Sequence, residues 1–243
     1  MNKNSYLFCS VLLLLMSCKT LSIHPESQTK TIEPLVLGSI GSGKEFILQK
    51  GFNEASYPTY TKSIKVTVLK TTFNKSSYKS FLKAKKSQSK DINIQYIDSL
   101  KEKPYYIKLQ IADKVSLINA LNDKTNEDVK YYLSINTNAN LITGLSIALN
   151  KTDLQNIEQA KAVFLVEDSL KTYALQLHVN DKIELLYFNK GVVFGYNTAN
   201  CCWQENNKYQ LNIVDLVNDY SSCPNKTYQS SNRAKKKINY FKL

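Results

Sequence analysis

Residues 162–196, AVFLVEDSLKTYALQLHVNDKIELLYFNKGVVFGY, decide the fold. The stretch holds four β-rich runs, separated by turn signals at residues 167–171, at Asn180-Asp181 and at Asn189-Lys190-Gly191. In the second run Tyr173, Leu175, Leu177 and Val179 alternate with Ala174, Gln176 and His178, the period of a strand with one buried face. Asn and Asp tolerate positive φ, and Gly191 can take the left-handed position of a three-residue loop, so the last two turns suit hairpins. The reading is an antiparallel meander.

Working outward, residues 63–70, 92–97 and 105–111 alternate in the same way and are expected as strands, and 35–37 and 45–48 are shorter strand-like pieces. Residues 129–149 read as two more strands joined near 138–140. Helices are expected where capping residues precede spaced apolar ones. Ser76 or Ser77 precedes Tyr78, Phe81 and Leu82, with the lysine-rich 83–90 as the end; Asp113 precedes Val115, Ile118 and Leu121. Thr152 with Gln155 forms a capping-box signature before Leu154 and Ile157. Ile213, Leu216, Val217 and Tyr220 stand at i, i+3, i+4 and i+7, which predicts an amphipathic helix over 210–220. The basic tail 233–243 is expected to be loose or an edge strand. The sum is an α+β fold, a largely antiparallel sheet covered by a few amphipathic helices, with no fixed-period repeat.

The N-terminus carries an address. Lys3 gives a positive start, and residues 6–16 are an apolar run of the length of a secretory signal, too short for a membrane span. Leu15-Met16-Ser17-Cys18 then resembles the lipobox of bacterial lipoprotein signal peptides, although Cys9 shows that a cysteine also occurs inside the apolar run. The resemblance implies cleavage after residue 17 and lipidation of Cys18 with diacylglycerol and a further acyl chain such as palmitate. More than one chain makes such anchoring stable. It divides the chain into a signal peptide (1–17), a polar tether (18–34) containing Pro25 and Pro34, and one domain (35–243). It also implies export to the cell envelope, the outer membrane rather than the inner.

The net charge of +12 becomes +11 once Lys3 leaves with the signal. The lysines are dispersed and Arg233 is the one arginine, so the charge reads as solvation and argues against a nucleic-acid partner. In its richness in Lys, Asn, Ile and Tyr the composition is similar to that of envelope proteins of the Bacteroidota. Beyond Cys18 the mature chain keeps Cys201, Cys202 and Cys223. A bridge from Cys201 or Cys202 to Cys223 would close a loop of about twenty residues, with Cys202–Cys223 favoured over reduced thiols or a strained vicinal bond. No metal is expected, since two histidines and no CxxC pair do not give zinc-ligand spacing.

Residues 38–45, GSIGSGKE, match the Gly-x4-Gly-Lys core of a phosphate-binding loop but put Glu45 where a Ser or Thr must meet Mg²⁺. The expectation is a flexible Gly/Ser turn between edge strands, with no nucleotide and no cofactor. Catalytic candidates are few. His24 lies in the tether and His178 on a strand face, and the carboxylates Glu167, Asp168 and Glu184 show no pairing geometry. Trp203 is a candidate for stacking on a sugar ring, competing with packing against the bridge; Tyr187, Tyr196 and Tyr209 carry the same two readings. Tyr105-Tyr106 and Tyr131-Tyr132 read as strand pairs with one ring inward.

The leading expectation is a membrane-anchored envelope lipoprotein that binds or scaffolds another envelope component, a protein or a glycan, through its exposed sheet face, without catalysis. A glycan-binding accessory protein and a carboxylate-dependent hydrolase are the alternatives.

Overall fold

The computed structural model describes residues 28–46, 49–99, 101–180, 182–218 and 221–235. The residues read as signal peptide, Cys18, His24 and most of those read as tether lie outside them, as do Asp181, Tyr220 and residues 236–243. In chain order the strands are β1 (Thr29–Lys30), β2 (Ile40–Phe46), β3 (Gln49–Ser56), β4 (Ile64–Thr72), β5 (Tyr105–Ile111), β6 (Ala139–Ala148), β7 (Ala162–Ser169), β8 (Thr172–Val179), β9 (Lys182–Tyr187), β10 (Val192–Glu205) and β11 (Leu211–Asn218). The helices are α1 (Lys75–Gln88), α2 (Lys114–Asn122), α3 (Glu127–Ile135), α4 (Lys151–Gln159) and α5 (Ser231–Ala234).

One sheet runs in the order β1-β10-β6-β5-β4-β7-β8-β9, with β11 on the free edge of β10 and the β2–β3 hairpin alongside β6. Every pairing is antiparallel. The register Ile107↔Ile147 and Leu109↔Leu145 sends these four side chains to one face, under α2 and α3, where Leu117, Leu121, Val129 and Leu133 complete the main core. Period two then turns Tyr106, Lys108 and Gln110 to the other face. There α1 closes a smaller aromatic core, with Phe73 4.8 Å from Tyr106 and Tyr106 4.9 Å from Phe194 between ring centroids. On that face a Cβ at Gly144 would come within 2.5 Å of Gln110 Oε1 and 3.0 Å of Asn197 Oδ1, so these side-chain ends would have to shift.

The α+β class and the antiparallel sheet are as the sequence predicts, and β4, β5, β7, β8 and β9 fall where alternation puts them. The meander, however, ends at β9. Residues Phe188–Lys190 form a 3₁₀ turn, Gly191 has φ −108°, and β10 crosses to pair with β6. Val192, Val193 and Phe194 are all buried, so this strand is apolar on both faces and belongs in the sheet centre, not beside the exposed β9.

The helix expected over 210–220 is instead strand β11. Cys202 pairs with Asp215 and Trp203 with Ile213, leaving Val214 as an extra residue. That bulge flips the phase, so Ile213 and Leu216, three apart, both face the core and imitate a helical spacing. Conversely, the first of the two strands expected over 129–149 is helix α3, which buries Val129 and Leu133. The alternation of 92–97 is real, but it has no ladder partner; Ile92, Ile94 and Tyr96 instead pack into the aromatic core beneath α1.

Smaller corrections concern the ends of elements. Asn74, not Ser76 or Ser77, caps α1, and the helix runs on through the lysines of 83–86. Asn150 rather than Thr152 caps α4. Asp113 does cap α2, whose buried side chains are Leu117 and Leu121, while Val115 is exposed. Thr29 and Lys30, assigned by composition to the tether, pair with Tyr196 and Gly195. Arg233, expected in a loose tail, sits in the short helix α5.

Residues 38–45 are not a flexible turn, since Ile40 onward is strand β2. Gly38, at φ +84°, donates its N–H to Ile142 O, and Ser39 donates its N–H to Val36 O. These amides are used within the chain and form no phosphate cradle. Glu54 secures the turn by accepting from Val36 N at 2.8 Å and Ser39 Oγ at 2.5 Å, and from the Tyr57 hydroxyl at 2.7 Å. Burial, with the carboxylate beside it, pushes that hydroxyl above the usual tyrosine range.

Candidate functional site

A groove of about 580 Å³ opens between α3 and the β10–β11 hairpin. Its first wall starts at Asp123, whose Oδ1 accepts from Thr125 N at 2.9 Å and Thr125 Oγ1 at 2.8 Å. Those bonds hold the carboxyl below its ordinary pKa. Asn126, fully buried, then fixes where α3 begins: it donates to Thr59 O and Ala120 O, and accepts from Thr59 N. Because Val129 and Leu133 face the core, Glu127, Lys130, Tyr131 and Ser134 (i, i+3, i+4 and i+7) form one stripe along the groove.

The second wall is the start of β11. The Asn206 side chain accepts from Lys208 N at 2.8 Å and Gln210 N at 3.0 Å, which shapes the turn and aligns Gln210 and Asn212 with the groove. Asn122 ties this wall to α2, donating to Ile213 O at 2.7 Å and accepting from Ile213 N at 3.1 Å. Across the gap Lys130 Nζ donates to Asn212 Oδ1 at 2.8 Å. Burial lowers the Lys130 pKa, and the Glu127 carboxylate opposes the shift. The Tyr131 ring, 66% exposed, stands at the rim. Ammonium, primary amide and carboxylate groups beside an aromatic face, all present in this lining, are the groups that hold a polar organic ligand such as a sugar.

Trp203 is the floor and not a platform. It is 2% exposed, beneath the groove, so it offers no face to a sugar ring; the stacking role assigned to it on sequence grounds is corrected to core packing. Cys202 is bonded to Cys223, with Cα atoms 5.7 Å apart, and Cys201 is a buried free thiol that burial pushes up to about 12. Tyr196 is buried against Phe52, and Tyr209 is exposed at the hairpin turn. Tyr105-Tyr106 are strand residues with one ring buried, whereas Tyr131-Tyr132 lie on a helix.

The expected catalytic candidates stand apart and are occupied. His178 is half-buried against the Phe164 ring. Glu167 accepts from the backbone N–H groups of Tyr60 and Lys171, Asp168 from the Tyr187 hydroxyl, and Glu184 from Asn156. In the groove, Asp123 and Glu127 share one wall, whereas glycoside cleavage needs carboxylates on both sides of the bond. Among the described residues no three His, Cys, Asp or Glu are grouped to hold a metal ion, and no helix is long and apolar enough to cross a membrane.

Lys130 and Tyr131 escape a reading of residues 129–149 as strands, their one signal being the 127/130/131/134 spacing, which has meaning only on a helix; Asn212 escapes the opposite reading, of 210–220 as a helix. Comparison with protein-family models, with curated proteins and with solved structures finds no match for this chain.

Proposed function

We propose that the chain is a lipid-anchored cell-envelope protein that works by binding, and that the groove between α3 and the β10–β11 hairpin takes a polar envelope ligand, a glycan before a protein. Cys18 carries the lipid, held by a thioether to diacylglycerol, in the outer rather than the inner membrane. The reading rests on one observation: the stripe Glu127, Lys130, Tyr131 and Ser134 faces Gln210 and Asn212 over a preformed groove. A hydrolase is disfavoured by carboxylates confined to one wall. Trp203, the one tryptophan of the chain, lies beneath the groove and is the reporter for the assay.

The experiment is a fluorescence titration with neutral, amino and acidic oligosaccharides, repeated for Tyr131→Ala and Lys130→Met. A saturable change that either substitution weakens roughly tenfold or more supports the reading. A flat response to every sugar, or one indifferent to both substitutions, overturns the groove as the site. Intact mass of protein taken from membranes, for wild type and Cys18→Ala, tests the anchor separately: an unlipidated wild-type product would remove it.

A further inference from the structure

We propose that the exposed face of α1 is a docking surface for anionic phospholipid, which holds the anchored protein in one orientation; the inference rests on the lipid anchor at Cys18. Lys75, Lys79, Lys83 and Lys86 lie at i, i+4, i+8 and i+11, a single exposed stripe, with Leu82, 45% exposed, set among them. The helix contains no Asp or Glu. The pattern works against the helix itself, because like charges four apart repel and Lys75 opposes the positive end of the helix dipole. None of these four lysines makes an ion pair among the described residues. The nearby carboxylates are otherwise engaged: Asp98 with Tyr96 and Lys103, its field also reaching Lys75, and Asp91 with Asn93.

The path of the chain selects the partner. β1 pairs with β10, and Lys30 Nζ donates to Ser76 Oγ at 3.1 Å, so the chain enters the fold at the N-terminal end of α1. Nine residues lie between Cys18 and Gln28, and the ten steps from one to the other reach at most about 35 Å when fully extended. The membrane surface therefore lies within reach of α1, which is itself only about 21 Å long. Lysines around an exposed leucine suit a diffuse headgroup layer with a shallow apolar boundary. Lysine lacks the fork that bidentate recognition of a single anion would use.

The test uses the acylated full-length protein in vesicles of phosphatidylcholine and in vesicles enriched in phosphatidylglycerol. Each lysine is scored by mass spectrometry after brief treatment with a membrane-impermeant amine-acylating reagent. Lys79, Lys83 and Lys86 are expected to become several-fold less reactive in the anionic vesicles alone, with the loss reversed by high salt. Lys124, at the groove on the opposite face, and Lys208, in the turn between β10 and β11, should not change. The variant K79Q/K83Q, altered at exposed positions, should lose the remaining protection at Lys86, since each lysine near the surface strengthens attraction roughly fivefold. Equal reactivity in both vesicle types overturns the docking surface while leaving the anchor intact, and so does protection that survives salt or the double substitution. Absence of the protein from both vesicle types overturns the anchor and the docking together.

Discussion

Replacing Cys223 by serine removes the one disulfide among the described residues with little disturbance of packing, because Cys202 is fully buried whereas Cys223 is only partly so. The bridge joins residues 21 apart in the chain. In the chain-entropy model a loop of that size contributes about 3 kcal/mol by restricting the unfolded ensemble. For a domain of this length each kcal/mol shifts Tm by roughly 2–4 °C, so the variant is expected to melt roughly 6–12 °C lower. The folded state should change little. Trp203 donates its N–H to Tyr228 O at 2.7 Å, Tyr228 returns a bond to Trp203 O at 3.0 Å, and Ser231 Oγ donates to Ser134 O at 2.5 Å. These contacts keep the segment 221–235 docked without the bridge. Calorimetry of wild type with and without reductant, and of Cys223→Ser, reads the first effect; the Trp203 emission maximum of the folded protein reads the second. A Tm loss under about 2 °C would refute the entropic account. A red-shifted native emission would refute it differently, by showing that the bridge is needed to bury the ring.

Asn126→Ala strips three hydrogen bonds from a fully buried site and leaves Thr59 N–H, Thr59 O and Ala120 O without that partner; a loss of about 2–4 kcal/mol in urea unfolding is expected, and a loss under about 1 kcal/mol contradicts it. Trp203→Ala should cost about 3–5 kcal/mol, while Tyr131→Ala, on an exposed ring, should leave unfolding unchanged within about 0.5 kcal/mol and act on ligand binding alone. The Cys201 thiol, pushed up to about 12 by burial, ionises near 8.5 in the unfolded chain. Its folded pKa is raised, so the stability it contributes is complete below about pH 8.5 and is lost as pH rises toward 12. Cys201→Ala should therefore show a shallower alkaline loss of stability than wild type, and equal slopes would count against the assignment.

Legibility in the sequence follows how many faces of an element are buried. Strands β4, β5, β7 and β8 carry their core residues on alternate positions, and that period survives in the sequence. Strand β10 is apolar on both faces through Val192, Val193 and Phe194, so its run marks a strand but not its partner; only assembly shows that it lies against β6. β11 and α3 mislead in opposite directions. The extra residue Val214 gives a strand the spacing of a helix, and the Val, Tyr and Ile content of α3, running on toward β6, gives a helix the composition of a strand. These two elements are the walls of the groove. The candidate site was therefore illegible for a definite reason, while the Cys202–Cys223 bridge was the favoured one of several pairings that the cysteine spacing left open.

The same period-two logic that builds the core also divides the surface. Along β5, Ile107, Leu109 and Ile111 draw α2 and α3 to one side, and Tyr106 draws α1 to the other. The entry of the chain at β1 lies by α1, and the groove lies by α3, so chain entry and groove belong to opposite sides of the sheet. If Cys18 carries the proposed lipid, its attachment alone would not fix which side of the domain meets the membrane, and the groove would face it part of the time. The proposed docking of α1 would remove that freedom, because each lysine adds an attraction that only the face nearest the headgroups can collect. Binding at the groove then becomes sensitive to residues that never touch the ligand: K79Q/K83Q should leave the affinity for a soluble oligosaccharide unchanged, yet reduce capture of the same sugar by protein displayed on anionic vesicles. Equal capture by wild type and variant would mean that orientation is set elsewhere and that the lysines of α1 serve solubility alone.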